Sequence, residues 1–260
     1  MWNRVELKKT AKERLKSYQG KAILVCLIIS VIEWLPDMFN NERFVGFLNN
    51  ITTVHPNLTE DGIQKYIMYC TDIFTPKGTL ETMLADIPLL SLVIALVVFR
   101  MILTYFIFYP LRVGQARFFY KNRFKEAGIE EMAYAFDGHY YFNIVKTEFI
   151  TFMHILFFTL LFIIPGIVYS FSYYLVPYIL VEHPLMLTKE AMELSKKMTN
   201  GHKKEMFIYT VSFIGWNLLG TLTLGLTDII FGTPYRQAAD AELYDELKRI
   251  YNSKLIECKE

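Results

Sequence analysis

Residues 162–182, FIIPGIVYSFSYYLVPYILVE, place a Pro-Gly pair inside one of the most apolar stretches of the 260-residue chain. The apolar block around it runs from about 149 to 181. As one helix at 1.5 Å per residue it would measure ~50 Å, well beyond the ~30 Å of a hydrocarbon core. Pro165 lacks the amide proton that would continue a helix, and Gly166 tolerates the backbone angles of a reversal. The pair is therefore expected to be a hairpin apex; a kink within one tilted helix is the competing reading.

Composition says which solvent such a block meets. With 53% apolar residues and 16% aromatics, the chain exceeds ordinary globular usage, and lipid is the expected solvent. A net charge of +1 excludes the chain as a whole from nucleic-acid binding. Cys26, Cys70 and Cys258 are widely spaced and have no CxxC or Cys/His pattern around them, so neither a disulfide framework nor a zinc site is expected. No cofactor is implied. The basic start, MWNRVELKKTAKERLKSYQGK, and the apolar AILVCLIISVIEWL after it lack a small-x-small cleavage pattern, which indicates a retained anchor rather than a signal peptide.

Charge decides between turning and passing through. Four apolar blocks stand out, near 22–35, 88–111, 149–181 and 206–232. If the last two are both hairpins, about six spans result and both termini share a side. Of the 27 Lys and Arg, 23 then fall on that side: seven in the first 21 residues, six from Arg112 to Lys146, five from Lys189 to Lys204 and five from Arg236 onward. Only Arg43, Lys65 and Lys77 lie opposite, and Arg100 lies within the second span. A single crossing at the Pro-Gly block would move five lysines outside, against the positive-inside bias.

The expected fold class is thus all-α, a polytopic transmembrane helical bundle of about six spans that includes two short hairpins, with interfacial amphipathic helices. Its one membrane domain, 1–260, divides into a cytoplasmic amphipathic helix (1–21), span 1 (22–36), an extracytoplasmic segment (37–87), span 2 (88–111), a cytoplasmic segment (112–146), a helical hairpin (147–182), a cytoplasmic helix (183–205), a second hairpin (206–234) and a cytoplasmic helix (235–260). In the first helix Val5, Leu7, Ala11 and Leu15 lie loosely on one side and Lys8, Lys9, Lys12 and Lys16 on the other, a pattern that suits anionic lipid or a solvated helix equally. Segment 37–87, with seven acids against three bases, holds two short amphipathic patterns that could cap the bundle. The second hairpin is expected to turn at Gly220 and Gly225. The segment after it is expected to fold beneath the bundle with Ala238, Leu243 and Leu247 on an inner face.

The pieces ELKKTAKERLK, IPGIVYSFSYYLVPYILVEHP, AMELSKKMTNGHKKEMFIYTVSFIGWNLLG and TPYRQAADAELYDEL resemble the Gram-positive bacterial integral membrane proteins grouped as domain-of-unknown-function family 975. More loosely, the six-span layout is similar to membrane domains found beside glycerophosphodiester phosphodiesterases. The resemblance implies a polytopic plasma-membrane protein without an assigned reaction and supplies no catalytic residues.

Polar groups at membrane depth are the remaining functional candidates, because they are costly in hydrocarbon and face protein or water. Arg100 lies near the middle of the second span, Asp228 inside the final one and Glu33 near the outer end of the first. An Arg100 to Asp228 pair would neutralise both charges, with Glu33 as the alternative partner. Glu148 and His154, six residues apart, fall on different helix faces; Glu148 reads as interfacial and His154 as a buried, satisfied histidine or a proton carrier. Trp216 and Asn217 with Gly215 and Gly220 indicate close helix contact, where Asn217 could hydrogen-bond across. No HExxH, GxSxG or Walker pattern is present, so an enzyme is not expected. Two classes survive: a non-enzymatic accessory or scaffold protein of a membrane complex, and a small transporter or lipid- or peptide-handling protein. The expected partners are the lipid bilayer and other membrane proteins, in a multi-pass plasma-membrane arrangement with both termini cytoplasmic.

Overall fold

A computed structural model describes residues 2–38, 95, 98–99, 102–223 and 225–257, with 33–38 described by backbone alone. Segment 37–87 apart from its first two residues, most of span 2, Cys70 and Cys258 lie outside the described residues. The chain forms two compact units, Met1–Ser30 with Tyr105–Glu260, and Val31–Thr104. Of the latter unit the described residues are helical backbone. In the former, every regular element is helical: α1 Arg4–Met38, which begins in this unit, a π-helical turn Thr104–Phe108, α2 Tyr109–Lys121, a 3-10 helix Ile129–Phe136, α3 Tyr141–Leu161, α4 Ile163–Ser172, α5 Val176–Glu182, α6 Thr188–Thr199, α7 Lys203–Val211, α8 Ile214–Leu222, a π-helical turn Asp228–Gly232 and α9 Thr233–Glu257.

The chain turns back between α3 and α4. The reversal occurs at Phe162, whose φ of −156° and ψ of 137° are extended, three residues before Pro165. Proline then lies in the first turn of α4, where its missing amide costs nothing because the first amides of a helix have no intrahelical partner. Across the hairpin Phe158 stacks on Tyr169 with ring centroids 3.9 Å apart, and His154 lies 6.3 Å from Tyr173. As one number rises the other falls, so the helices run antiparallel. Gly166 makes the approach possible: a Cβ there would lie 2.2 Å from Thr159 Oγ1 and 2.7 Å from its Cα.

α1 consists of two helical segments that meet at a kink, close to the expected division between the first helix and span 1. Tyr18 (φ −129°, ψ 21°) marks the kink, yet Leu7, Ala11, Leu15, Tyr18, Ala22, Val25 and Ile29 form one buried stripe through it, at the three- and four-residue spacing of a helix face. Val5, expected on that stripe, is exposed. Tyr18 meets Phe118 and Phe119 of α2 edge to face at 6.0 and 6.2 Å. On the other side of α2, Gly114 admits the 3-10 helix, since a Cβ there would lie 2.2 Å from the Met132 carbonyl oxygen. The π-helical turn before α2 shifts the backbone register, and Tyr141 Oη donates to the Phe106 carbonyl at 2.7 Å.

The second hairpin differs from expectation in its turn. α7 and α8 are interrupted at Ser212 and Phe213, and the reversal after α8 uses Gly225 alone, at φ +86°, a left-handed angle that glycine adopts without strain. Its amide donates to the Gly220 carbonyl at 2.7 Å. Gly220 instead lies within α8 against Asp228, whose Cβ would be 2.8 Å from a Cβ at position 220. The N-terminus docks beside this arm: Trp2 meets Tyr209 edge to face, and Lys8 Nζ lies 3.8 Å from the Phe213 ring centroid and donates to Ser212 Oγ.

Three segments among the described residues are long and apolar enough to cross a membrane: Arg4–Ile32, Tyr141–Leu161 and Ile163–Glu182. This is the composition of a membrane protein, with three such segments where six spans were expected. Neither α7 nor α8, nine residues each, crosses alone, since nine residues rise only about 14 Å.

Candidate functional site

The longest polar helix, α9, is where the charged segments converge. Ala238 through Tyr244 are buried without interruption, so for nearly two turns the helix is enclosed on all sides rather than on the single face expected from Ala238, Leu243 and Leu247. Three alanines in that run let neighbouring helices approach. Asp240 and Glu242 are carried into the interior with them, where an ionised carboxylate must be compensated.

Each is compensated by a different set of donors. Asp240 Oδ1 accepts from Tyr174 Oη, beside the α4–α5 junction, and from Tyr209 Oη of α7, both at 2.8 Å. Burial pushes the Asp240 carboxyl above the ordinary aspartate value, against the opposing charge of Arg236 one turn earlier. Glu242 accepts from Arg14 of α1 at 2.7 Å and from Arg123, just beyond α2, at 3.0 Å; Arg123 also reaches Asp245 at 2.8 Å. Burial alone would raise the Asp245 carboxyl, but the hydrogen bond and charge of Arg123 outweigh it and hold the group below the usual range.

Glu182, at the end of α5, forms a third hub. Tyr120 Oη and Tyr244 Oη donate to it at 2.5 Å, and Lys248 Nζ reaches both its oxygens at 2.6 Å. The Tyr244 ring stacks on Tyr178 at 5.4 Å. A fourth cluster joins α2 to the 3-10 helix, where Glu131 accepts from Arg117 and Lys121, both at 2.6 Å. Burial pushes the Glu131 carboxyl up, but these two cations outweigh it and lower the group below its ordinary value. The Arg117 guanidinium also lies 3.5 Å from the Tyr134 ring centroid. The whole is a platform in which residues from α1, α2, α5, α7 and α9 are bonded to one another through carboxylates.

The residues singled out by sequence are dispersed. Arg100 lies outside the described residues, and Glu33 is described in α1 by its backbone only. Asp228 is half-buried, packed against Gly220 and Gly232, and has no ion pair with a described residue. Asn217 is exposed, and Gly215 faces open space; the contacts in this region are made by Gly220 and Trp216. His154 is exposed rather than buried and lines a cavity beside α6. Glu148, expected at the interface, is buried, and its Oε1 has no hydrogen-bond partner among the described residues. It lies six residues before His154, so the two sit on different faces of α3.

The profile of a family described as "Protein of unknown function (DUF975)" matches residues 1–250. The chain belongs to that family. No curated protein and no solved structure matches it significantly.

Membership in DUF975 assigns no reaction, so the weight falls on the geometry. The platform carboxylates were missed in the sequence because Glu182 merely closes the apolar stretch 162–182, and Asp240 and Glu242 lie in a stretch that reads as polar surface. The usable signal was AADAEL in α9: alternating alanines and acids leave no bulky residue to keep neighbours away, so the acids go where the alanines go.

Proposed function

We propose that this chain is a non-enzymatic, multi-pass protein of the bacterial cell membrane, with both termini cytoplasmic, acting as an accessory or scaffold component of a membrane complex. The observation that carries this reading is the commitment of the platform carboxylates to intramolecular donors. Glu182, Asp240 and Glu242 each accept from at least two side chains. Carboxylates bonded in this way fix helix positions, whereas a general base needs a lone pair free to take a proton. The orientation is supported by the platform itself, which joins Lys/Arg-rich segments that a positive-inside arrangement places in the cytosol.

Affinity purification of the full chain in mild detergent, with identification of co-purifying proteins, tests the reading. The expected result is one membrane protein recovered in stoichiometric amount and lost when the platform is disrupted by Arg123→Leu. Recovery of the chain alone, together with substrate-dependent flux in proteoliposomes, would instead establish a small transporter.

A further inference from the structure

α3, the junction after α4, and α6 line an open cavity of about 570 Å³, within the range of small-molecule sites. Its lining includes Lys146, Ile150 and His154 of α3, Tyr173, and Lys189 and Lys196 of α6. In α3 the residues 146, 150 and 154 recur every four positions and so form one face.

Two features of this cavity select its occupant. The first is charge. Arg14, Arg117, Lys121, Arg123 and Lys248 are all engaged with carboxylates, while Lys146, Lys189 and Lys196 form no ion pair among the described residues and meet a single carboxylate in the lining, Glu193. The second is polarity along α3. Beyond His154 the hairpin presents Phe157, Leu160, Leu161, Ile163 and Ile164, all more than half exposed, so the basic end of the cavity opens onto a continuous apolar flank. A soluble anion would use the lysines alone, while the flank, in the membrane reading of α3 and α4, is covered by bilayer lipid. An amphiphile with a phosphate at one end uses both.

We propose that this cavity binds one anionic phospholipid of the surrounding leaflet, its phosphate among Lys146, Lys189 and Lys196 and an acyl chain along Ile150, His154 and Phe157. The site rests on the membrane reading of α3 and α4. It goes beyond the scaffold role by giving the protein a selective lipid contact at the edge of its platform.

The test is native mass spectrometry of the purified full chain in mild detergent with added phosphatidylglycerol or phosphatidylcholine. The wild-type chain is expected to retain one phosphatidylglycerol and to bind phosphatidylcholine far more weakly. The variant Lys146→Gln/Lys189→Gln/Lys196→Gln should lose about a hundredfold in affinity, since each basic group near an anionic lipid surface contributes roughly a factor of five. Lys125→Gln/Lys204→Gln/Lys254→Gln, which removes three exposed lysines away from the cavity, should bind as wild type. Ile150→Trp fills the apolar side with every lysine in place and should also weaken retention.

Unchanged phosphatidylglycerol binding by the cavity triple variant or by Ile150→Trp, or equal retention of the zwitterionic lipid, overturns the proposal. Displacement of the lipid by millimolar glycerol phosphate overturns it in favour of a soluble phosphate ligand. Extraction of the chain from membranes by alkaline carbonate would defeat the membrane reading and the site together; the preceding outcomes defeat the site alone.

Discussion

Asp240 carries more structural consequence than any residue prominent in the sequence. It lies 5% exposed on an enclosed stretch of helix and is the shared acceptor of two tyrosines from different elements. Asp240→Leu leaves two tyrosine hydroxyls without an acceptor. The expected loss is about 2–6 kcal/mol, at about 1–3 kcal/mol for each buried donor left unsatisfied, read as an earlier unfolding midpoint in an SDS titration. Tyr209→Phe removes one donor and should cost about 1–3 kcal/mol, the cost of leaving a buried partner unsatisfied. Glu131 supplies a pH dependence whose sign follows from its depressed value. Its stabilisation is whole above the ordinary glutamate pKa and is lost as the pH falls through the lower folded-state value. Glu131→Gln should therefore flatten the acid limb of the thermal-stability profile and lower the neutral plateau. The sequence pointed to Arg100, Asp228 and Glu33 because a charge amid apolar residues is conspicuous. Asp240 lies among residues of ordinary surface composition, and only the packing of three alanines shows that its surroundings are dry.

At the scale of elements, length and charge were more informative than motif. A 33-residue apolar block that cannot fit a bilayer as one helix forces a reversal, and the chain makes it between α3 and α4. The apex lies at Phe162 rather than at Pro165 because proline is a good first-turn residue; its presence marks where a helix starts as readily as where one ends. Gly166 is required by proximity instead. Gly166→Ala sets a methyl 2.2 Å from Thr159 Oγ1 and 2.7 Å from its Cα, so the hairpin must splay, at an expected cost of about 1–3 kcal/mol for overpacking. Thr159→Ala should restore part of that loss, because it removes the hydroxyl contact and leaves the backbone one; SDS-induced unfolding of the single and double variants measures both. The kink at Tyr18 and the π-helical turns were not legible, since they depend on how the aromatic residues of α1 and α2 fit together and on which carbonyls find side-chain donors. The enclosure of α9 was hidden for a related reason: periodicity describes one face of a helix, and a stretch buried all round has none.

At the scale of the molecule, the platform makes the orientations of distant segments interdependent. Arg14 belongs to the first 21 residues, Arg123 to the segment after α2 and Glu242 to α9; their ion pairs, at 2.7 and 3.0 Å, require all three to lie on one side of any membrane the chain crosses. Glu182 adds the end of α5 to the same side through Tyr120 and Lys248. α6 begins six residues later, at Thr188, and ends near Lys197, which is exposed. A maleimide reporter at position 197, introduced as Lys197→Cys into a chain lacking Cys26, Cys70 and Cys258, therefore reports on the N-terminus, the 112–146 segment and α9 as well as on its own helix. With the Lys/Arg-rich side in the cytosol, a membrane-impermeant reagent should leave it unlabelled in intact cells and label it fully once the membrane is opened. A second reporter at Asn200, just past α6, should behave identically. Labelling of both in intact cells would invert the arrangement of the entire platform, because the ion pairs do not allow one of these segments to change sides while the others remain.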